Sequence, residues 1–449
     1  MANSAGAEVN FAQSKPRVRE LISACAGNLV EWFDFFVYAY SAIYFAPAFF
    51  PSGDRTSQLL SAAGVFAVGF FMRPLGGWLF GRFADRRGRK ASMVISVLMM
   101  CAGSLLIAVL PAYQAIGAAA PALLVAARML QGLSVGAEYG TGATYITEVA
   151  AAGRRGFFSS FQYLTIIAGQ LLALLTVAAL QRALTPADLT AWGWRIAFLI
   201  GALSSLVVLY LRRSMTETAT AEQMSHRDAG SIFALLKHKR ALILVLIFSA
   251  CGSLYFYTFT TYMQKLLAVS ARLAPETVSA VMTAALIFFM LCQPVFGLLA
   301  DRLGVKTHML IFTGSAALLA VPILRALQSV SSPYAAFALV VTGLLIVSFY
   351  TPISGLVKAE LFPAPLRALG VGLPYAIANA MFGGTAEYAA LWLRSEGIES
   401  YFFIYVAFLS VIALAAAVAM PDLRRHGYMD GDGAIEENTG RGRIGGTTP

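Results

Sequence analysis

A ten-residue motif occurs twice in this chain, once in each half. GRFADRRGRK at Gly81–Lys90 returns 216 positions later as GLLADRLGVK at Gly297–Lys306, with Gly, Asp, Arg, Gly and Lys in the same register. A second pair of charges, an acidic residue and an arginine seven positions later, repeats after 212 positions: Glu148 and Arg155, then Glu360 and Arg367. Two unrelated motifs that repeat at almost one offset predict two homologous halves.

The segments between these motifs are long and apolar. Only 12% of the 449 residues are charged and 58% are hydrophobic, whereas soluble domains carry about 25% charged residues. Twelve apolar runs have the length of roughly 20 residues that a helix needs to cross a bilayer. We therefore predict an all-α membrane protein with spans at 20–45, 58–81, 92–110, 121–147, 158–180, 193–211, 241–266, 276–299, 309–328, 333–357, 368–393 and 399–420.

The distribution of the cations predicts the orientation of these spans. If the N-terminus is cytoplasmic, 24 of the 33 Lys and Arg residues lie in cytoplasmic segments, among them Arg89, Arg212, Lys358 and Arg367. Such a bias is the positive-inside rule, and it explains the net charge of +10 without nucleic acid. Both termini are then cytoplasmic.

The same reading divides the chain into five parts. We predict a cytoplasmic tail at 1–19, a six-helix bundle at 20–211, a linker at 212–240, a second bundle at 241–420, and a polar, Gly-rich tail at 421–449. We expect the last of these to be disordered, because it has too little apolar surface to bury.

Several ionisable side chains fall inside predicted spans, where each costs at least ~2.5–3.5 kcal/mol on insertion scales. In the first span Asn28, Glu31, Asp34 and Tyr38 are spaced by three and four residues, which places them on one helical face. That face is expected to look into the protein. Tyr38 is thereby a candidate for the substrate site.

Three further charges lie in the second and fourth spans. We predict that Arg73 or Arg128 holds an anionic group of a substrate and that Glu31, Asp34 or Glu138 takes up a proton, because intramembrane charge is usually functional. In the alternative interpretation, Arg128 pairs with Glu138 and Arg73 with a first-span carboxylate, and these pairs only fix helix packing.

Hydroxyl and amide side chains crowd the spans of the second half. The deeper ones, Tyr257, Tyr375 and Asn379, are predicted to line a wet cavity and to bind carboxylate oxygens. No histidine falls inside a predicted span, so we expect no metal site. Protons are the only coupling ion that the sequence suggests, and no cofactor is expected.

The repeated loop motifs predict a gate at the cytoplasmic side. Asp85 and Asp301 are placed where a carboxylate can cap the N-terminus of a neighbouring helix and meet Arg residues across the half. Gly81 and Gly88 permit a tight turn and a close helix approach. The complete predicted gate consists of Gly81, Asp85, Arg86, Gly88, Arg89, Glu148, Arg155, Asp301, Arg302, Glu360 and Arg367.

These motifs resemble a known family. GRFADRRGRK with its second copy, and RMLQGLSVGAEYG from Arg128, resemble the major facilitator superfamily; GNLVEWFDFFVY and FFMRPLGGWLFGRFADRRGRK look like its metabolite:proton symporter branch. The resemblance implies two six-helix bundles related by a pseudo-twofold axis, each built from inverted three-helix repeats, around a site that opens alternately to each side. The second copy departs from the pattern at Val305, where a basic residue is usual.

The resemblance covers almost all of the membrane portion and also implies an activity. That activity is proton-coupled uptake of 2-oxoglutarate (α-ketoglutarate) across the bacterial inner membrane, by a monomer that is not an enzyme and binds no nucleic acid. Within the class, the alternative substrates are citrate or another dicarboxylate, shikimate, and betaine or proline. A sensor or enzyme on a transporter-like fold, or a channel, is less favoured, since no soluble domain, nucleophile motif or pore-lining ring is recognisable.

Overall fold

The computed structural model describes residues 18–51, 55–151, 153–423 and 427–428. Within these residues the chain is helical apart from short connections, as predicted. Nearly all of the two predicted tails, including the segment expected to be disordered, lies outside the described residues.

Six long helices form the first half. Each apolar run of the sequence corresponds to one of them, and only Leu110 and Gly193 of the predicted spans lie outside: α1 Val18–Phe49, α2 Arg55–Arg87, α3 Arg89–Val109, α4 Ala119–Val149, α5 Arg155–Ala183 and α6 Trp194–Arg212.

Six more helical segments form the second half, and several of them are broken. They are α7 Lys239–Tyr257 continued by Thr258–Tyr262, Met263–Lys265 and Leu266–Ser270; α8 Pro275–Leu303; α9 Val305–Gln328; α10 Pro333–Val347 continued by Thr351–Ile353 and Ser354–Ala359; α11 Arg367–Ala378 continued by Asn379–Gly383 and Ala386–Ser395; and α12 Ser400–Ala419. Ten helices among the described residues are long and apolar enough to cross a membrane; α1 and the broken α11 complete the predicted twelve.

Most helices extend several residues beyond the predicted spans. The repeated motif was predicted to be a loop, but its first seven residues, Gly81 to Arg87, form the last two turns of α2. The helix ends only at Gly88, whose φ of 103° favours glycine, and α8 ends in the same way at Gly304, with φ 93°. Charged side chains do not stop a helix where it leaves the hydrocarbon region, so hydropathy alone ends it too early.

The two bundles contact each other mainly at one end. We call this end the basic face and define it by the connections α2–α3, α4–α5, α6–α7, α8–α9 and α10–α11. There α2 and α4 pack on α11, and α5 packs on α8. Glycines allow the close approach: a Cβ on Gly140 of α4 would lie 2.5 Å from the Cα of Gly372 in α11.

Four cations that were assigned to loops are buried inside the protein instead. Arg89, Arg212, Lys358 and Arg367 are all at most 6% exposed. Each lies within one turn of a helix end, where hydropathy suggests that the side chain reaches out to water. In the structure each side chain points inward and finds polar partners there, as described below.

Candidate functional site

A small cavity lies between the two bundles. Its walls come from α1 and α5 on one side and from α7 and α11 on the other: Trp32, Tyr163, Ile166, Ser253, Phe256, Tyr257, Tyr375 and Asn379. Three of the predicted substrate residues, Tyr257, Tyr375 and Asn379, therefore share one site. The π-helical turn Asn379–Gly383 begins at the cavity, and such turns occur frequently at functional sites.

Several polar atoms around this cavity have no hydrogen-bond partner within the described part of the chain. They include the hydroxyl of Tyr257 and both amide atoms of Asn379. A buried polar atom without a partner costs about 1–3 kcal/mol. A polar group that formed hydrogen bonds with these atoms would remove this cost.

Arg73 lies beside the cavity on the side of the first bundle. Its guanidinium carbon is 4.0 Å from the ring centre of Phe70, 4.5 Å from that of Phe35 and 5.5 Å from that of Trp32, a cavity residue. None of its three guanidinium nitrogens has a hydrogen-bond partner among the described residues, although the residue is only 2% exposed. Aromatic faces stabilise the cation in part, but its five N–H donors remain available for an anion.

Arg128 lies elsewhere in the first bundle. Its guanidinium covers the ring of Tyr38 at 4.3 Å and donates to Oε1 of Gln131 at 2.7 Å. Tyr38 itself donates to the carbonyl of Ala62, and neither residue lines the cavity. The polar face predicted for α1 is buried, as expected, but at Tyr38 it faces the interior of the first bundle.

The predicted pairing of Arg128 with Glu138 is wrong. Glu138 forms a buried ion pair with Arg212 of α6 and accepts a hydrogen bond from Ser96 at 2.6 Å. Arg212 also donates to the carbonyl of Met93. Ten residues of helix, about 15 Å along α4, separate Arg128 from Glu138. Arg212 instead reaches Glu138 from the basic face, where α6 ends.

Two carboxylates of α1 have no ion-pair partner within 4.0 Å in the described residues. Asp34 accepts from the hydroxyl of Ser104 at 2.7 Å. Glu31 lies 3.0 Å from the hydroxyl of Ser134, which is also 2.7 Å from the carbonyl of Ser96. Because one hydroxyl has a single hydrogen to donate, both contacts are satisfied when Glu31 is protonated and donates to Ser134.

The predicted capping contacts at the basic face are present in both halves. Asp85 of α2 accepts from the backbone N–H groups of Ala368 and Leu369 at 3.1 and 3.0 Å, at the N-terminus of α11. Asp301 of α8 accepts from those of Gly156 and Phe157 at 2.6 and 3.0 Å, at the N-terminus of α5. Each acid joins its own bundle to the positive end of a helix in the other bundle.

Ion pairs between the bundles follow the same symmetry. Glu148 of α4 accepts from Arg367 at 2.9 Å, and Arg155 of α5 lies 3.8 Å from Glu360. Each acid therefore pairs with the arginine of the other copy of its motif. Arg89 strengthens the first pair, because it reaches both Glu148 and Asp85 at 3.4 Å. The second copy has Val305 at the position of Arg89, so the network is asymmetric.

The remaining predicted gate residues have local roles or lie at the surface. Gly81 packs on α11, where an added Cβ would be 2.8 Å from the Cα of Leu369. Arg86 is exposed and donates to the carbonyl of Ala229 in the linker at 2.8 Å. A Cβ on Gly88 would meet Glu217, the linker residue that caps α3. Arg302 is exposed at the end of α8.

The glycine contact between α4 and α11 leads to a prediction. We expect Gly140→Ala to disfavour closure of the basic face, because the added Cβ meets backbone atoms that cannot move away without separating the helices. Overpacking costs about 1–3 kcal/mol, which shifts the equilibrium between the closed and the open basic face about five- to 150-fold toward the open state. The measurement is labelling of Ser160→Cys, buried between α5 and α8, with an impermeant maleimide.

The matched control is Gly142→Ala in the same helix, because a Cβ there meets nothing within 4 Å. Labelling of Ser160→Cys is expected to rise with the Gly140 substitution only. Equal labelling in the two backgrounds would contradict the role assigned to this contact.

Sequence reasoning missed Lys358, a buried cation of the second bundle. Lys358 stands at the end of the tenth apolar run, two residues before Glu360, and so was assigned to a loop. In the structure it is fully buried and lies beside Tyr139 and Tyr375, whose rings stack across the bundles with their centres 3.4 Å apart. No signal in the sequence separates it from the loop cations.

Comparisons with known proteins agree with this architecture. The Major Facilitator Superfamily profile matches residues 24–386. The chain is 57% identical to the alpha-ketoglutarate permease of Escherichia coli (strain K12), over 93% of this chain and 96% of the relative. It is 34% identical to the citrate-proton symporter of Klebsiella pneumoniae, over 82% and 83%. A solved proton:xylose symporter bound to 6-bromo-6-deoxy-D-glucose has a TM-score of 0.72 at 16% identity, covering 92% of this chain and 99% of that chain. The chain therefore belongs to the Major Facilitator Superfamily.

Proposed function

We propose that this chain is a proton-coupled symporter that takes up 2-oxoglutarate by alternating access. The observation that carries the proposal is Arg73, a buried guanidinium beside an interbundle cavity with no acceptor for its N–H groups among the described residues. A carboxylate accepts two parallel hydrogen bonds from a guanidinium. The similarity to an alpha-ketoglutarate permease over most of both chains supports the choice of this acid.

The orientation belongs to the same proposal. We place the basic face and both termini in the cytoplasm of a bacterial cell, with the protein in the inner membrane as a monomer, because the excess of Lys and Arg follows the positive-inside rule. The caps and ion pairs of the basic face then close the cytoplasmic side. Opening toward the cytoplasm requires Asp85 and Asp301 to release the two helix N-termini.

Coupling to protons has an electrical reason. A dianion that enters a cell with a negative interior works against about 2.3 kcal/mol per charge for each 100 mV. Two protons that enter with it remove this cost, and a third makes uptake electrogenic. Glu31 and Asp34 are the proposed proton sites, because neither has a cation within 4.0 Å in the described chain, whereas Glu138 is paired with Arg212.

The test is uptake by the purified protein in liposomes. Labelled 2-oxoglutarate is expected to accumulate when the proton gradient is directed inward, and unlabelled dicarboxylates, but not betaine or proline, are expected to compete. Stronger competition by citrate would instead assign the site to tricarboxylates, as the citrate-proton symporter among the relatives suggests. No accumulation by a folded, correctly oriented protein would remove the proposed substrate.

A further inference from the structure

Lys358 is a buried cation at the interface of the two bundles. Its ammonium group donates to the hydroxyls of Tyr139 and Ser354, each at 2.8 Å. It also lies 4.3 Å from the ring centre of Tyr375, 4.8 Å from that of Tyr139 and 5.6 Å from that of Tyr350. The residue is 0% exposed. Neutral hydroxyls and aromatic faces are thus its only close polar surroundings within the described residues.

This ammonium group has no counter-charge within the described part of the chain. No described carboxylate oxygen lies within 4.0 Å of its nitrogen, whereas Arg367, the other fully or nearly buried cation of the second bundle, is paired with Glu148. Removing a cation from water without an anion is costly, and a charge at membrane depth is usually functional. A carboxylate from outside the chain would satisfy Lys358.

Lys358 also lies near the cavity, on the side of the second bundle. Its neighbour Tyr375 lines the cavity, and its hydrogen-bond partner Tyr139 stacks on Tyr375 with the ring centres 3.4 Å apart. Arg73 stands behind Trp32 on the wall of the first bundle. In each bundle, one cation without an ion-pair partner among the described residues therefore contacts a residue of the cavity wall: Arg73 contacts Trp32 and Lys358 contacts Tyr375.

We propose that Lys358 binds the second carboxylate of the substrate, so that a dicarboxylate joins Arg73 of the first bundle to Lys358 of the second. This inference rests on the proposed function, because it specifies which residues bind the two carboxylates of the substrate. A monocarboxylate satisfies only one of the two cations, which makes Lys358 a determinant of specificity for dianions.

The position of Lys358 also connects binding to gating. Its hydrogen bond to Tyr139 crosses from the second bundle to the first, and so does the stacking of Tyr139 on Tyr375. Tyr139 and Ser354 accept two of the three N–H groups of Lys358, so a carboxylate that accepts from two N–H groups displaces one of these hydroxyls. When it displaces Tyr139, substrate binding weakens a contact between the two bundles.

The experiment removes one carboxylate from the ligand and one cation from the protein. Binding of labelled 2-oxoglutarate is competed with 2-oxopentanoate, which lacks the distal carboxylate, and with 4-oxopentanoate, which lacks the carboxylate beside the ketone. For the wild type we expect both competitors to bind about ten- to a hundredfold more weakly than 2-oxoglutarate, the range for one charge-assisted hydrogen-bonded contact.

In Lys358→Gln we expect 2-oxoglutarate to bind about ten- to a hundredfold more weakly and to lose its advantage over one of the two monocarboxylates. In Arg73→Gln the advantage over the other monocarboxylate is expected to disappear. Lys358→Arg is expected to restore much of the binding. Lys265→Gln is the matched control, because this lysine lies in α7 of the same bundle, is exposed and pairs with Glu387.

An undiminished advantage over both monocarboxylates in Lys358→Gln would overturn the proposal. If that variant does not fold, Tyr139→Phe provides the test, because it frees an N–H of Lys358. Tighter binding of 2-oxoglutarate relative to the monocarboxylates supports the proposal. Unchanged or weaker relative binding overturns it. Absence of 2-oxoglutarate uptake by the wild type would remove the proposed function, whereas wild-type uptake with unchanged discrimination in the variant removes only the role of Lys358.

Discussion

Arg73→Met is expected to weaken 2-oxoglutarate binding by about 30- to several-thousand-fold. Truncating one partner of a desolvated, hydrogen-bonded charge pair costs about 2–5 kcal/mol, and each 1.4 kcal/mol is a factor of ten in the dissociation constant. Arg73 meets both conditions, because it is buried and all its guanidinium nitrogens lack protein acceptors in the described chain. Equilibrium binding of the labelled acid to purified protein measures the effect.

The same substitution is expected to stabilise the protein without substrate. Replacing buried charge with an apolar side chain of similar volume often contributes about 1–4 kcal/mol, and methionine preserves the contacts with Phe35 and Phe70. The melting temperature should therefore rise while binding is lost, the trade-off expected of a functional site. If Arg73 served only to stabilise the fold, its replacement by methionine would lower the melting temperature.

Two other arginines serve as controls for this experiment. Arg325→Met, at an exposed position in α9, should change neither binding nor melting temperature. Arg128→Met removes the hydrogen bond to Gln131 and should lower the melting temperature. Should Arg128→Met abolish binding while Arg73→Met leaves it intact, the substrate carboxylate belongs to Arg128.

The number of helices and the caps at the basic face follow from local features of the sequence. The length of the apolar runs is set by the thickness of the bilayer, and the repeat of Asp85 as Asp301 predicts one capping acid in each half. The partners of these acids, the N-termini of α11 and α5, were expected only in general terms. Their backbone N–H groups are present at the start of every helix, so their identity depends on how the bundles dock.

The partners of long cationic side chains were not predictable in the same way. Arg212 and Lys358 both end an apolar run, and hydropathy places such residues at the water interface because their stems allow the charge to reach water. The structure turns both inward, Arg212 to Glu138 and Lys358 to Tyr139. The direction in which each side chain points depends on an acceptor on a helix that is distant in sequence. A single sequence does not show which helices are neighbours.

Replacing Glu31 by glutamine is expected to uncouple uptake from the proton gradient. With an inward gradient of one pH unit, each coupled proton supports about a tenfold accumulation, because one unit corresponds to about 1.4 kcal/mol. Glu31→Gln mimics the protonated acid that the two contacts of Ser134 favour. Accumulation should therefore fall about tenfold at one pH unit, while exchange of external for internal 2-oxoglutarate, which needs no net proton movement, continues.

Two neighbouring carboxylates make this result specific to Glu31. Glu138→Gln leaves the Arg212 charge unpaired, and breaking a buried pair costs about 3–5 kcal/mol, so this variant should lose stability and exchange together. Asp34→Asn removes the other acid of α1 that lacks an ion pair in the described residues. The proton site would be Asp34 if Asp34→Asn lost accumulation but kept exchange while Glu31→Gln accumulated the acid normally. Loss of both activities in Glu31→Gln would mean that the carboxylate serves substrate binding or packing, because a pure coupling residue is dispensable for exchange.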